Sequence, residues 1–180
     1  MQIGHNELAG DSALIQVYTG CGKGKTTAAL GLALRAAGAG LRVYIGQFVK
    51  GASYSELNAL KKIKNIKIEQ LGRKCFIKKR PDQKDIELAR VGFKKVKSII
   101  SKRIYDMVIL DEINIALNLK LLRIKDVIAM LQDAPKNVEL ILTGRNAHPK
   151  VLQLADLVSE IKEVKHYYKK GIKARRGIEF

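Results

Sequence analysis

The chain has 180 residues, 47% of them hydrophobic and 6% aromatic, with a formal charge of +17 at pH 7. That length fits one domain with a full core. The longest apolar runs are far too short to cross a membrane. Met1 to Ser12 lacks the basic start and apolar centre of a signal peptide, so a cytoplasmic location is expected. The positive balance attracts polyanions. Even so, Lys61, Lys62, Lys64, Lys67, Lys78, Lys79, Lys94, Lys95 and Lys97 lie on segments that also carry apolar positions. Aromatic residues are not interleaved with them as a nucleic-acid platform requires, so nucleic acid is not the expected partner.

The first expected element is a strand, Leu14 to Thr19. It breaks into alternating glycines at Gly20, Gly22 and Gly24, followed by Lys25, Thr26, Thr27 and an Ala/Leu-rich helix to Ala37, with Gly38 as its stop. Strand, glycine loop and helix start in that order form an anion cradle. Backbone N–H groups without side chains in the way face phosphate oxygens, and the helix dipole adds partial positive charge. Lys25 contributes a full charge, and Thr26 a hydroxyl for a magnesium ion. The usual pattern is Gly-x-x-x-x-Gly-Lys-Ser/Thr, but Thr19 stands in the first place here, so the loop is a variant with Lys23 and Lys25 both near the phosphates. Cys21 lies inside this loop, and a free thiol there fits a reducing compartment. Cys75, His5, His148 and His166 are scattered without metal-ligand spacing.

Further short apolar runs at Val43–Phe48, Ile66–Leu71, Met107–Leu110, Val138–Leu142 and Leu157–Ile161 read as strands buried on both faces. Asp82 is a cap for a long helix in which Ile86, Ala89, Phe93, Val96 and Ile100 recur at helical steps. Ile124, Val127, Ile128 and Leu131 form another apolar face closed by Pro135, and Pro149 opens a short helix through Ala155. Alternating strands and helices predict an α/β, doubly wound, mainly parallel six-stranded sheet flanked by helices.

Three strand ends carry candidate chemistry. Met107 to Glu112 is an apolar strand ending in two acids, and beside a phosphate loop such an acid holds Mg²⁺, so Asp111 and Glu112 are both candidates. Thr143-Gly144-Arg145 ends the next strand on the ligand side of the sheet, where Arg145 reaches toward phosphates. Gln47-Phe48-Val49-Lys50-Gly51 follows the second strand, with Lys50 as a further anion contact and Tyr54-Ser55-Glu56 just beyond.

Several segments together resemble one family. They are Thr19 to Ala29, Gln47 to Gly51, Asp106 to Glu112, Leu142 to Arg145, Ala155 to Glu160, Val164 to His166, Gly171 to Ala174 and Gly177-Ile-Glu-Phe180. Their order and content are similar to the phosphate-loop type of ATP:cob(I)alamin (corrinoid) adenosyltransferase. The resemblance implies a single P-loop NTPase-like (RecA-like) domain over residues 14–180. Residues 1–13 would form an N-terminal arm that covers the site in some members. It also implies transfer of the 5′-deoxyadenosyl group of ATP to the cobalt(I) of a reduced corrinoid, with triphosphate leaving whole. Gly20, Cys21, Gly22, Lys23, Gly24, Lys25, Thr26, Thr27, Lys50 and Arg145 would contact the nucleotide. Thr26 with Asp111 or Glu112 would hold Mg²⁺. Lys25, Thr26 and Phe76 would serve the reaction, Phe76 by displacing the corrinoid's lower ligand. Ile77 stands near the place where some members have tryptophan. The resemblance further implies a reductase that supplies cobalt(I) and a homodimer. Without it, the glycine loop and acidic strand end equally describe a nucleotide-hydrolysing switch.

Overall fold

The computed structural model describes residues 13–49, 54–73 and 81–180. Lys50, Cys75, Phe76 and the N-terminal arm up to Ser12 lie outside them. In chain order the strands are β1 (Ile15–Thr19), β2 (Val43–Gln47), β3 (Ile66–Gln70), β4 (Met107–Asp111), β5 (Glu139–Thr143) and β6 (Leu157–Glu160). The helices are α1 (Lys25–Gly38), α2 (Ser55–Leu60), α3 (Gln83–Ser101), α4 (Ile113–Asn118), α5 (Ile124–Gln132) and α6 (Pro149–Leu154). The sheet runs β3-β2-β4-β5-β1-β6, and every neighbouring pair is parallel. Each strand therefore needs a crossover, which places helices on both faces and all strand C-termini on one edge.

Period-two alternation divides the core. Tyr44, Val108, Leu110, Leu140 and Leu142 face one side with Phe93, Val96 and Ile100 of α3 and Val127, Met130 and Leu131 of α5. Val43, Ile45, Met107, Ile109 and Ile141 face the other, against Ala29, Ala33 and Ala36 of α1. The three alanines, at four- and three-residue steps, let α1 lie close to β4 and β5. Every residue of β2, β4 and β5 is buried, as a parallel sheet covered on both faces requires. Each such Val, Ile or Leu contributes roughly 1.5–3 kcal/mol relative to exposure.

Helix ends follow local chemistry. Asp82 caps α3 in a reciprocal box: its carboxylate accepts from the Asp85 amide at 2.9 Å, and Asp85 accepts from the Asp82 amide at 3.0 Å. Gly38 does not stop α1. The helix includes it, and Gly40 takes the left-handed turn at φ 87°, with the Gly40 amide on Ala37 and the Leu41 amide on Ala36. β6 is the second departure from the sequence reading. It is an edge strand, with no strand paired beyond it among the described residues, and every residue is exposed, including Leu157 at 44% and Val158 at 46%.

Candidate nucleotide site

The strand C-termini bring Gln47, Asp111, Thr143 and Thr19 to one edge. Gln47 and Asp111 are register partners of β2 and β4, and Tyr18 of β1 pairs with Thr143 of β5. The side chains of Gln47 and Thr143, with that of Thr26, meet on the Asp111 carboxylate. Asp111 Oδ1 accepts from the hydroxyls of Thr143 at 2.6 Å and Thr26 at 2.9 Å, and Oδ2 accepts from Gln47 Nε2 at 3.1 Å. Asp111, Gln47 and Thr143 are fully buried. Because a carboxylate only accepts, the Gln47 amide must turn its nitrogen toward Asp111. That leaves Gln47 Oε1 buried without a hydrogen-bond partner among the described residues.

Glu112 is the next residue, half-buried and at φ 62°. Left-handed backbone at a non-glycine residue is costly and persists only where its surroundings enforce it. Here the turn directs the chain from β4 straight into α4, and the Glu112 amide donates to Thr143 Oγ1 at 3.0 Å. The two acids thus divide the work: Asp111 faces Thr26, and Glu112 lies against the Gly144 turn, where a Cβ on that glycine would come within 3.2 Å of Glu112 Oε2.

The loop that carries Thr26 is shaped by two close approaches. The Gly22 amide donates to the Ile161 carbonyl at 2.7 Å, and a Cβ at Gly22 would sit 2.7 Å from that oxygen. Gly24, at φ 119°, precedes the first turn of α1 in a conformation open essentially to glycine. The Lys25 ammonium, almost wholly buried, donates to the Gly22 carbonyl at 2.6 Å. Thr26 lies one position on, at the helix N-terminus where amides and dipole favour anions. Gly20 lies against Ile161, while Cys21 and Thr27 are exposed. Arg145 follows β5 on the same edge and is exposed, outside the cluster around Asp111.

Lys23 has a different environment. Its ammonium donates to Glu179 Oε1 and to the Tyr167 hydroxyl, both at 2.8 Å. Tyr167 lies in a single 3-10 turn, Tyr167–Lys170, and its hydroxyl also donates to Glu179. Arg175 supplies its amide to Glu179 Oε2 at 2.6 Å. The hydrogen bond from Lys23, then that from Tyr167, holds the Glu179 carboxyl well below the usual carboxylate range. The same contacts with Glu179 and Tyr167 raise Lys23 above the ordinary lysine value. Sequence reading put the Gln47 and Thr143 segments on the ligand side but assigned roles only to Lys50, Arg145 and the two acids, and it gave Tyr167 and Glu179 no place at this site. For Gln47 and Thr143 the available signal was position, since both end strands on the ligand side.

The donor set suits a small hard cation. It consists of oxygen atoms: a carboxylate, a threonine hydroxyl beside it, a second acid one residue on, and an orphaned buried carbonyl oxygen on Gln47.

Comparison with known proteins agrees. A family model described as ATP:corrinoid adenosyltransferase BtuR/CobO/CobP matches residues 11–180. The corrinoid adenosyltransferase of Pseudomonas aeruginosa is 34% identical over 172 residues, covering 94% of this chain and 85% of that one. The corrinoid adenosyltransferase of Escherichia coli K12 is 34% identical over 170 residues, covering 94% and 87%. Among solved structures, a KaiC-like protein of Pyrococcus horikoshii superposes with a TM-score of 0.54 at 15% identity, covering 85% of this chain and 74% of that one. The cytoplasmic domain of EssC gives 0.52 at 17%, covering 91% and 34%. At such identities the structural likeness establishes the fold alone, a P-loop NTPase-like sheet. The match across nearly the whole sequence goes further, and it places this chain in the ATP:corrinoid adenosyltransferase family.

Proposed function

We propose that the chain transfers the 5′-deoxyadenosyl group of ATP to the cobalt of a reduced corrinoid. The observation that carries this reading is the family match over residues 11–180. The site chemistry supports it. Cobalt(I) attacks the ribose C5′, its electron pair forms the cobalt–carbon bond, the C5′–oxygen bond breaks, and triphosphate leaves with the pair of the broken bond. The substrate itself is the nucleophile, so the protein needs no activated Ser, Cys or His. Its tasks are to hold the triphosphate and orient C5′.

Lys25 and the first turn of α1 face the phosphates, with Gly20 to Thr27 forming the cradle. Thr26 with Asp111, or with Glu112, would hold Mg²⁺, which when bound supplies charge neutralisation on the phosphate oxygens. Asp111 is kept in place for this by Thr143 and Gln47. Lys50 and Arg145 would add positive charge from the loops after β2 and β5. Phe76 would act on the lower corrinoid ligand. Arg73 and Asp82, which flank its segment in sequence, form an ion pair at 2.5 Å. Residues 1–13 would form an arm over the 14–180 domain. A homodimer is part of this reading, supported by the exposed Leu157 and Val158 on the β6 edge, as are a reductase partner and a cytoplasmic location. Among the described residues no helix is long and apolar enough to cross a membrane. A nucleotide-hydrolysing switch is not favoured, since the family match extends far beyond the glycine loop and acidic strand end on which that reading rests.

The test is anaerobic incubation with ATP, Mg²⁺ and a chemically reduced corrinoid. A light-sensitive alkyl-cobalt spectrum should appear. Steady phosphate release without that spectrum would reject the assignment.

A further inference from the structure

The C-terminal Gly-Ile-Glu-Phe motif has no part in the chemistry above, yet it reaches the phosphate loop. Glu179 grips Lys23, a residue inside the loop, from 156 positions away at 2.8 Å. The contact is built rather than incidental. Tyr167 bonds to both partners, and the Arg175 amide and guanidinium fix the carboxylate from behind. The Arg175 guanidinium lies over the Tyr167 ring at 4.9 Å. The Phe180 carbonyl accepts from Ser55 Oγ at 3.0 Å at the start of α2, anchoring the motif beyond Glu179. At the other end, the Ile161 carbonyl just after β6 holds the Gly22 amide, so the tail leaves the sheet already attached to the loop. The Glu179 side chain is 17% exposed and that of Lys23 39%, so an anion arriving from solvent has access to the pair.

We propose that Glu179 is an exchange anion for Lys23: its carboxylate occupies the loop ammonium when the cradle is empty, gives it up to the triphosphate, and reclaims it as triphosphate leaves. The inference rests on residues 20–27 being the triphosphate site. Its logic is charge balance. A product bearing several negative charges, gripped by two lysines, a helix N-terminus and a cation, leaves slowly unless something competes for the cations. A carboxylate tethered beside one of them does so at high effective concentration. Glu179 is therefore a positioning residue acting through Lys23, and its removal strengthens anion binding instead of weakening it.

Tripolyphosphate with Mg²⁺ is the probe, its affinity for the full chain read by titration calorimetry. Glu179→Gln keeps the shape and the Tyr167 contact but removes the charge. It should bind tripolyphosphate about two- to fivefold more tightly, as removal of one partly exposed charge pair allows. The gain should shrink as salt rises, and product inhibition by tripolyphosphate should deepen by the same factor. In a Lys23→Ala background the same substitution should change nothing, because the competed cation is gone. Unchanged or weaker binding in Glu179→Gln would overturn the proposal, showing that Glu179 only props up the loop. An equal gain in the Lys23→Ala background would also overturn it, since the effect would not pass through Lys23. If the unaltered chain bound no tripolyphosphate, the triphosphate site itself would fall, a result distinguishable from either of these.

Discussion

Two carboxylates contact the phosphate loop, one from the sheet and one from the C-terminal tail, and they differ in burial. Asp111 ends a central strand, is fully buried, and accepts from two hydroxyls and an amide. Glu179 lies on the tail, partly exposed, and is held by a lysine, an arginine and a tyrosine. The two hydroxyls and the amide fix the Asp111 oxygens in place beside the first turn of α1, where a cation would arrive with the nucleotide. Cationic donors cancel the charge, so Glu179 acts as a counter-ion that another anion can replace. The sheet centre supplies rigidity where geometry matters, and the periphery supplies exchangeable charge where turnover requires release.

The most severe way to break this contrast is Lys25→Ala. The ammonium is buried at the loop and donates to the Gly22 carbonyl, so the variant should stay folded with a modestly lowered melting temperature. Loss of a charge aimed at the triphosphate leaving group should lower kcat/KM at least about 10²-fold. Undiminished ATP affinity would remove residues 20–27 from the site.

Asp111→Asn tests the central carboxylate alone. Gln47 can reverse its amide and accept from the new Asn nitrogen with its unpartnered oxygen, so the fold should survive. The Mg²⁺ concentration needed for half-maximal rate should rise, with a loss of about 10–10²-fold at fixed Mg²⁺. An unaltered Mg²⁺ dependence would move the metal role to Glu112.

A smaller effect separates the corrinoid side from the phosphate side. Phe76→Ala should slow reaction with complete cobalamin roughly three- to tenfold more than with cobinamide, which lacks the lower ligand. Steady-state rates with both substrates would show it. Equal losses would mean that the ring only packs.

These tests also mark what could be read from the chain alone. Met107 to Leu110 announces a buried strand because a parallel strand is apolar on both faces, and an acid at its end is conspicuous. Gln47 is not. Its role depends on β2 lying beside β4, and strand order is invisible in a local window. The same blindness made β6 look interior, since an edge strand and a central one can have the same hydropathy. α2 and α4, each of six residues, are too short for a helical period to emerge. Gly38 looked like a helix stop because any glycine after an apolar stretch does. Only the capping bonds two residues later identify Gly40. The Lys23–Glu179 pair spans nearly the whole sequence, and no spacing rule reaches that far.

The gentlest perturbation lies at the opposite edge of the sheet, where Glu139 begins β5 and accepts from Gln16 Nε2 at 2.6 Å. Burial pushes its carboxyl above the usual range; the Gln16 hydrogen bond opposes this, and Asp156 reinforces it. A carboxyl raised in the folded state holds its proton to higher pH than in the unfolded chain. Its contribution to stability is therefore present below the unfolded value and lost as pH rises through the folded one. Glu139→Gln is permanently neutral, nearly the same shape, and still accepts from Gln16. It should raise the melting temperature at pH 7 by about 2 °C, and the gain should vanish near pH 4, where the native carboxyl is itself protonated. Adenosyl transfer should be unaffected, because the strand's other end faces the nucleotide. A gain largest in acid would mean that the Gln16 hydrogen bond outweighs burial and that this carboxyl is held charged, which would make the sheet's two edges alike in how they treat a buried acid.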